Sequence, residues 1–278
     1  MTLRIAFYGK GGIGKSTIAT NVSALLAKKG MRVLHIGCDP KADSTRLLTK
    51  RKIPTVLSQL DTLDDITRNA VVFEGACGVQ CVETGGPEAG TGCAGLGIMT
   101  AMDELKRLGV FDESWDVIVY DVLGDVVCGG FSVPMRKHFV DKVYVVTSSY
   151  YMSLYAANNI LKGIKRYARA GNGMCVGIIG NHIKDSKDEK ALREFCRQVK
   201  VPCATVIEDD ITMQKADYYC SLFALENENC KNSNRIKMFV DNLTENPKTC
   251  LPKPLNTEHM EKFGIMLWEK IYEREYNN

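Results

Sequence analysis

An apolar run from Leu3 to Tyr8 leads straight into Gly9-Lys10-Gly11-Gly12-Ile13-Gly14-Lys15-Ser16-Thr17, and a stretch of helical character, Ile18 to Lys28, follows. Gly9, Gly14, Lys15 and Ser16 fit the spacing G-x-x-x-x-G-K-[ST]. Strand, glycine loop and helix in that order aim backbone N–H groups and a helix N-terminus at phosphate oxygens. The glycines permit positive φ and close backbone approach, Lys15 is placed to neutralise the outer phosphates, and the Ser16 hydroxyl is placed to coordinate Mg²⁺. The expected ligand is a nucleoside triphosphate with Mg²⁺, held by Gly9, Lys10, Gly11, Gly12, Ile13, Gly14, Lys15, Ser16 and Thr17. A glycine-rich turn that binds no nucleotide is the plainer alternative.

A second lysine sets this loop apart. Lys10 stands at its beginning, where the side chain need not join the cradle of Lys15 and is free to project across a subunit contact. A cation delivered in trans stabilises the phosphoryl-transfer transition state as an arginine finger does, an effect of about 10³ to 10⁵ in rate. The competing reading is a solvated surface lysine.

Apolar, β-branched runs recur at Arg4 to Tyr8, Arg32 to Gly37, Val117 to Asp121, Lys142 to Thr147 and Cys175 to Gly180, with helically spaced stretches between them. Strands alternating with helices imply an α/β fold, a mostly parallel sheet covered by helices on both faces, with ligands at the carboxyl ends of the strands. With the loop at its start, this is the phosphate-loop NTPase fold of the deviant Walker A type. With 278 residues and 45% hydrophobic content, residues 1–278 are expected to form one domain. Its glycine-rich stretch, 75–97, reads as a functional surface loop, as does 121–131. After a proline-bearing link, residues 255–278 read as a helix with Met260, Phe263, Leu267 and Ile271 on one stripe. That stripe is expected to dock on its own or a partner subunit.

The formal net charge is only +3 and no basic cluster is interleaved with aromatics, so no nucleic-acid partner is expected. No apolar run approaches the roughly 18 residues needed to cross a bilayer, and Met1 leads directly into a strand; the expectation is a cytoplasmic protein with no membrane partner. Eleven cysteines without a secretion signal favour reduced thiols and metal ligation over a disulfide framework.

Two carboxylates, Asp39 and Asp43, follow the second strand in Cys38-Asp39-Pro40-Lys41-Ala42-Asp43-Ser44-Thr45, placed to sense the outer phosphate and the waters of Mg²⁺. Asp121, closing an apolar strand, suits a Walker B carboxylate, and Asp125 suits a group that positions or deprotonates the attacking water. A turn or helix-cap role is the alternative for each. Cys93 and Cys128 both sit among glycines, which leave room for an inorganic cluster and offer N–H groups to its sulfurs. A [4Fe–4S] cluster takes four thiolates, so two from each of two symmetry-related chains would complete one on the two-fold axis of a homodimer. Buried thiols, or a site on Cys77 and Cys81, are the rival readings.

The run Gly9 to Thr17, the segment Cys38 to Thr45, the block Gly85-Gly86-Pro87-Glu88 through Cys93-Ala94-Gly95, and Tyr120 to Phe131 together resemble the nitrogenase iron protein family. The likeness continues through Leu154 to Ile160 and covers about the first 220 residues. It implies a homodimeric, ATP-dependent reductase with one [4Fe–4S] cluster bridged by Cys93 and Cys128 of both chains. Electrons from a low-potential ferredoxin or flavodoxin would pass singly to a larger nitrogenase-type catalytic metalloprotein. Carried over, Lys10 reaches the partner's phosphates, Ser16 binds Mg²⁺, and Asp39 and Asp43 form a first switch. Asp121 to Cys128 form a second switch, with Asp125 as base, and Asn181 touches the adenine.

Two departures narrow the likeness. Where the family has Cys-Ala-Gly-Arg-Gly, this chain has Cys93-Ala94-Gly95-Leu96-Gly97, which removes a target of regulatory ADP-ribosylation and alters the docking surface. Ile207-Glu208-Asp209-Asp210 stands where Pro-Arg-Asp-Asn is usual near the nucleotide. Relatives in the wider group serve a nickel-tetrapyrrole cyclase, chlorophyll-precursor reduction or methylthio-alkane reduction. A positioning ATPase of the ParA/MinD type, which shares the second lysine and needs no cluster, is the alternative from another class.

Overall fold

The computed structural model describes residues 2–86, 94–122, 124, 139–168, 174–245 and 248–273. Eight strands among them form one sheet: β1 (Leu3–Gly9), β2 (Val33–Cys38), β3 (Phe73–Glu74), β4 (Gln80–Glu83), β5 (Val117–Val122), β6 (Lys142–Thr147), β7 (Met174–Ile183) and β8 (Cys203–Glu208). Their order is β3-β4-β2-β5-β1-β6-β7-β8. All pairings are parallel except the short β3 on β4. The helices are α1 (Lys15–Lys28), α2 (Arg46–Thr49), α3 (Val56–Thr62), α4 (Arg68–Val71), α5 (Ala94–Arg107), α6 (Tyr151–Ala168), α7 (Ser186–Val199), α8 (Ile211–Tyr218), α9 (Phe223–Glu226), α10 (Lys231–Thr244) and α11 (Thr257–Leu267).

The period-2 alternation of a strand divides β1 between two cores. Ile5 and Phe7 pack with Ile18 and Val22 of α1 and Phe239 of α10, while Ala6 and Tyr8 pack with Ala101 of α5, Leu154 of α6 and Phe195 of α7. Strands covered on both faces are mostly apolar, which is why β2, β5 and β6 read as apolar runs, with His35 and Asp121 the buried polar exceptions near the site. Phe7 stacks on Tyr144 at 5.9 Å, and Phe239 meets Tyr144 edge-on at 4.9 Å, fastening α10 to the sheet.

β1 lies between β5 and β6; the chain returns from β4 to β5, crosses over β1 to β6 and runs outward through β7 and β8. Ligands of open α/β sheets bind at the carboxyl ends of strands around such a reversal. β1 ends there in the glycine loop and β5 in Asp121 and Val122.

Three expectations need correction. The segment 75–97 is not one surface loop: Gln80–Glu83 is an internal strand beside β2, and Ala94 already begins α5. Its glycines concealed four residues of sheet. The five anticipated strands omit β3, β4 and β8, whose short or mixed composition carries a weak apolar signal. The last helix is α-helical only over Thr257–Leu267 and continues as a π-helical turn, Trp268–Tyr272. It docks on its own chain, with Phe263 against Phe195 at 6.0 Å and the Tyr272 hydroxyl donating to Asp188 at 2.9 Å. The link before it is more than a spacer, since Cys250 N–H donates to Cys175 O of β7 at 2.7 Å.

Candidate functional site

A cavity of about 440 Å³ opens at the carboxyl edge of the sheet. Lys10, Gly11, Gly12, Gly14, Lys15, Ser16 and Thr17 form one wall, Asp39 and Asp43 a second, and Asn181 with residues after β8 a third. Most of the residues expected to hold a nucleotide thus line one space. Gly9, Ile13 and Asp121 do not line it: Gly9 is the buried end of β1, Ile13 is core, and Asp121 lies behind Lys15. Asp125, Cys93 and Cys128 lie outside the described residues.

The loop is shaped by two left-handed glycines, Gly12 at φ 74° and Gly14 at φ 81°. Gly14 ends the loop as the N-cap of α1, and its carbonyl accepts the Ile18 N–H at 3.1 Å. A Cβ there would displace the Asn181 amide, and the left-handed backbone disfavours any L-residue. That amide donates to Ile13 O at 2.8 Å. Asn181, expected to touch the base, is found here bracing the phosphate loop.

Lys15 and Asp121 form a buried ion pair. Burial alone would push the Asp121 carboxyl up, but Lys15 beside it and hydrogen bonds from Lys15, Ser16 and Ser44 hold it below the ordinary carboxylate range. Ser44 Oγ donates to Asp121 Oδ2 at 2.6 Å, and His35 sits between Ser44 (3.0 Å) and Ser23 (2.9 Å). Desolvation lowers the imidazole pKa to about 4, so His35 is neutral at pH 7. Thr45, next in the chain, donates both its N–H and its hydroxyl to Glu83. The segment carrying Asp39 and Asp43 is thus tied at its far end to the residue expected as the Walker B carboxylate.

A further bracket closes the opposite side. Thr17 Oγ1 donates to Asp217 of α8 at 3.1 Å, and Arg46 of α2 donates to Asp217 O at 2.9 Å. Ser44 and Thr45 stood in the quoted motif without a role. His35, Glu83, Arg46 and Asp217 had no spacing signal, because they reach the site from four separate elements.

Among the described residues no group of three or more His, Cys, Asp or Glu could hold a metal ion. Cys81 is buried in β4 while Cys77 is exposed, which disfavours the rival site on those two. Nine free thiols are described, leaving Cys93, the residue before α5, and Cys128 as the remaining cysteines. By donor chemistry two thiolates would supply half of the four that a [4Fe–4S] cluster takes. Gly124 lies against the loop itself: a Cβ there would collide with Gly9 O, so Gly124, just past β5, touches the phosphate loop. No helix among the described residues is long and apolar enough to cross a membrane.

Comparison with known proteins agrees with this architecture. A MinD cell division protein from Aquifex aeolicus superposes with a TM-score of 0.68 at 16% identity, covering 89% of this chain and 98% of that one. A ParA family ATPase from Chlorobium tepidum gives 0.66 at 20% identity, covering 87% and 98%. At such identities the likeness concerns the fold alone. In sequence, the chain is 43% identical to nitrogenase iron protein 2 of Methanothermobacter thermautotrophicus over 94% of this chain and 96% of that one. It is 42% identical to the nitrogenase iron protein of Methanococcus voltae over 98% and 99%. Residues 3–269 match the 4Fe-4S iron sulfur cluster binding proteins of the NifH/frxC type. The chain belongs to the NifH/frxC family.

Proposed function

We propose that this chain is an ATP-dependent iron–sulfur reductase, working as a homodimer with one [4Fe–4S] cluster held by Cys93 and Cys128 of both copies. It would take electrons from a low-potential ferredoxin or flavodoxin and deliver them to a larger nitrogenase-type catalytic metalloprotein. The observation that carries this reading is the buried Lys15–Asp121–Ser44 chain, which joins the phosphate loop to the Asp39–Thr45 segment in a member of a cluster-binding family.

In the mechanism we infer, MgATP enters the cavity and its phosphates take Lys15 from Asp121 while Ser16 turns to Mg²⁺. Asp121, relieved of those donors, would be free to hold waters of the bound Mg²⁺. Asp39 and Asp43 respond to the outer phosphate, Lys10 supplies positive charge across the dimer, and Asp125 positions the attacking water. Bound by its four thiolates, the cluster supplies one-electron redox chemistry. Gly124, four positions before Cys128 in the sequence, lies against Gly9, so a change in the phosphate loop would bear on the start of that segment. Leu96, 65% exposed on α5 and three positions after Cys93 in the sequence, would present an apolar rather than a cationic docking contact.

The test is an anaerobic pull-down from native extract with MgADP·AlF₄⁻, with iron analysis of the bait and mass spectrometry of what is retained. Bound iron and a nitrogenase-type catalytic protein are expected, and that protein names the substrate. An iron-free bait that retains DNA or division proteins would replace this reading with a positioning ATPase.

A further inference from the structure

Glu83 does not line the cavity, yet it is tied to the segment that does. β4 sets it opposite Gly37 of β2, where it is fully buried. Its Oε1 accepts two hydrogen bonds from Thr45, from the N–H at 2.6 Å and the hydroxyl at 2.8 Å. Its Oε2 has no hydrogen-bond partner among the described residues. Gly37 makes the space, since a Cβ there would collide with that oxygen. Two donors on one oxygen favour the charged form, and burial of the other without a partner favours the neutral one.

Its electrostatic surroundings tip that balance. Asp121 of β5 and Asp43 at the cavity face it, with the thiols of Cys38 on β2 and Cys81 on β4 nearby. Burial pushes Glu83 up, the Thr45 donors pull it down, and Asp121 and Asp43 push it up again, to about 7.

We propose that Glu83 positions the Asp39–Thr45 segment through Thr45 and takes up a proton from solvent when MgATP binds. The proposal rests on the nucleotide reading above. MgATP brings net negative charge toward a carboxylate in a low-dielectric setting and draws Lys15 from Asp121, and both changes favour the neutral acid. Any displacement of the segment that loosens the Thr45 donors acts in the same direction. Once protonated, Glu83 becomes a donor and can reverse its hydrogen bond with the Thr45 hydroxyl.

The experiment is calorimetric titration of the anaerobically purified protein with the Mg²⁺ complex of a non-hydrolysable ATP analogue. It is run in two buffers of different ionisation enthalpy and repeated from pH 6 to 9. Binding to the unsubstituted protein should absorb protons, and affinity should fall above pH 7 by up to about tenfold per pH unit. Glu83→Gln keeps an acceptor for Thr45 and should bind without that proton uptake. Thr45→Val removes one donor and should move the onset of the fall to higher pH. A purely structural Glu83 would change affinity and leave the proton count alone. Equal proton counts in the unsubstituted protein and Glu83→Gln, or an onset unmoved in Thr45→Val, would overturn the proposal while leaving nucleotide binding intact. Absence of binding in the unsubstituted protein would overturn the nucleotide reading and the proposal together.

Discussion

The ammonium of Lys15 rests on the carboxylate of Asp121, with side-chain exposures of 8% and 0%. Removing one partner of such a pair strands the other charge away from water, whereas removing both does not. Lys15→Met should therefore destabilise the nucleotide-free protein by about 3–5 kcal/mol. The double variant Lys15→Met/Asp121→Asn should recover much of that loss, read as a coupling in a double-mutant cycle by urea unfolding. Additive losses would mean that the pair is not coupled.

Two buried groups on neighbouring strands should give opposite pH slopes. His35 is neutral in the fold down to about pH 4, so between an unfolded value of about 6.5 and that point only the unfolded chain gains a proton, and stability falls as pH falls. Glu83 is raised to about 7, so from there down to an unfolded value of about 4.3 the folded chain gains the proton first, and stability rises as pH falls. Each slope approaches 1.4 kcal/mol per pH unit, and they oppose between about pH 6.5 and 4.5. Glu83→Gln should expose the His35 slope and His35→Gln the Glu83 slope, measured as unfolding free energy against pH. Identical profiles in both variants would contradict the assignment.

The phosphate loop and the strand before it were legible because their chemistry is local: glycine spacing, a lysine and a hydroxyl fall within nine consecutive residues. Asp121 was legible because a carboxylate ending an apolar strand is unusual. Its partner was not, because Ser44 approaches from a loop 77 positions away and only the sheet order brings them together. Glu83 was hidden more completely. It belongs to a four-residue strand embedded in glycines, and nothing local distinguishes Gln80–Glu83 from the loop around it. Asn181 was assigned from likeness to one ligand contact, but its amide is engaged with Ile13 O, a tertiary contact that no local pattern encodes.

That contact yields a prediction for Gly14. At φ 81° an L-residue is strained, and an added methyl would displace the Asn181 amide that braces the loop. Gly14→Ala should cost more than about 1 kcal/mol in unfolding free energy. Nucleotide affinity should drop by at least tenfold, since the N–H groups of the loop no longer converge. Asn181→Ala removes only the brace and should weaken binding less. Isothermal titration of both variants ranks them, and a weaker Asn181→Ala would show that Asn181 matters more than the left-handed turn.

Lys10 and Lys15 share one loop but not one environment. Lys15 is buried against Asp121, whereas Lys10 is exposed at the cavity rim. An exposed cation contributes little to holding a nucleotide in water, because solvent screens it. Its leverage comes when a second chain closes over the site and excludes that solvent, so that it bears on charge developing during phosphoryl transfer. Lys10→Gln should accordingly bind MgATP within a few-fold of the unsubstituted affinity while hydrolysis falls by about 10³ or more. Lys15→Gln should lose binding itself. Steady-state hydrolysis beside equilibrium binding separates the two, and intact turnover in Lys10→Gln would remove the role across the dimer.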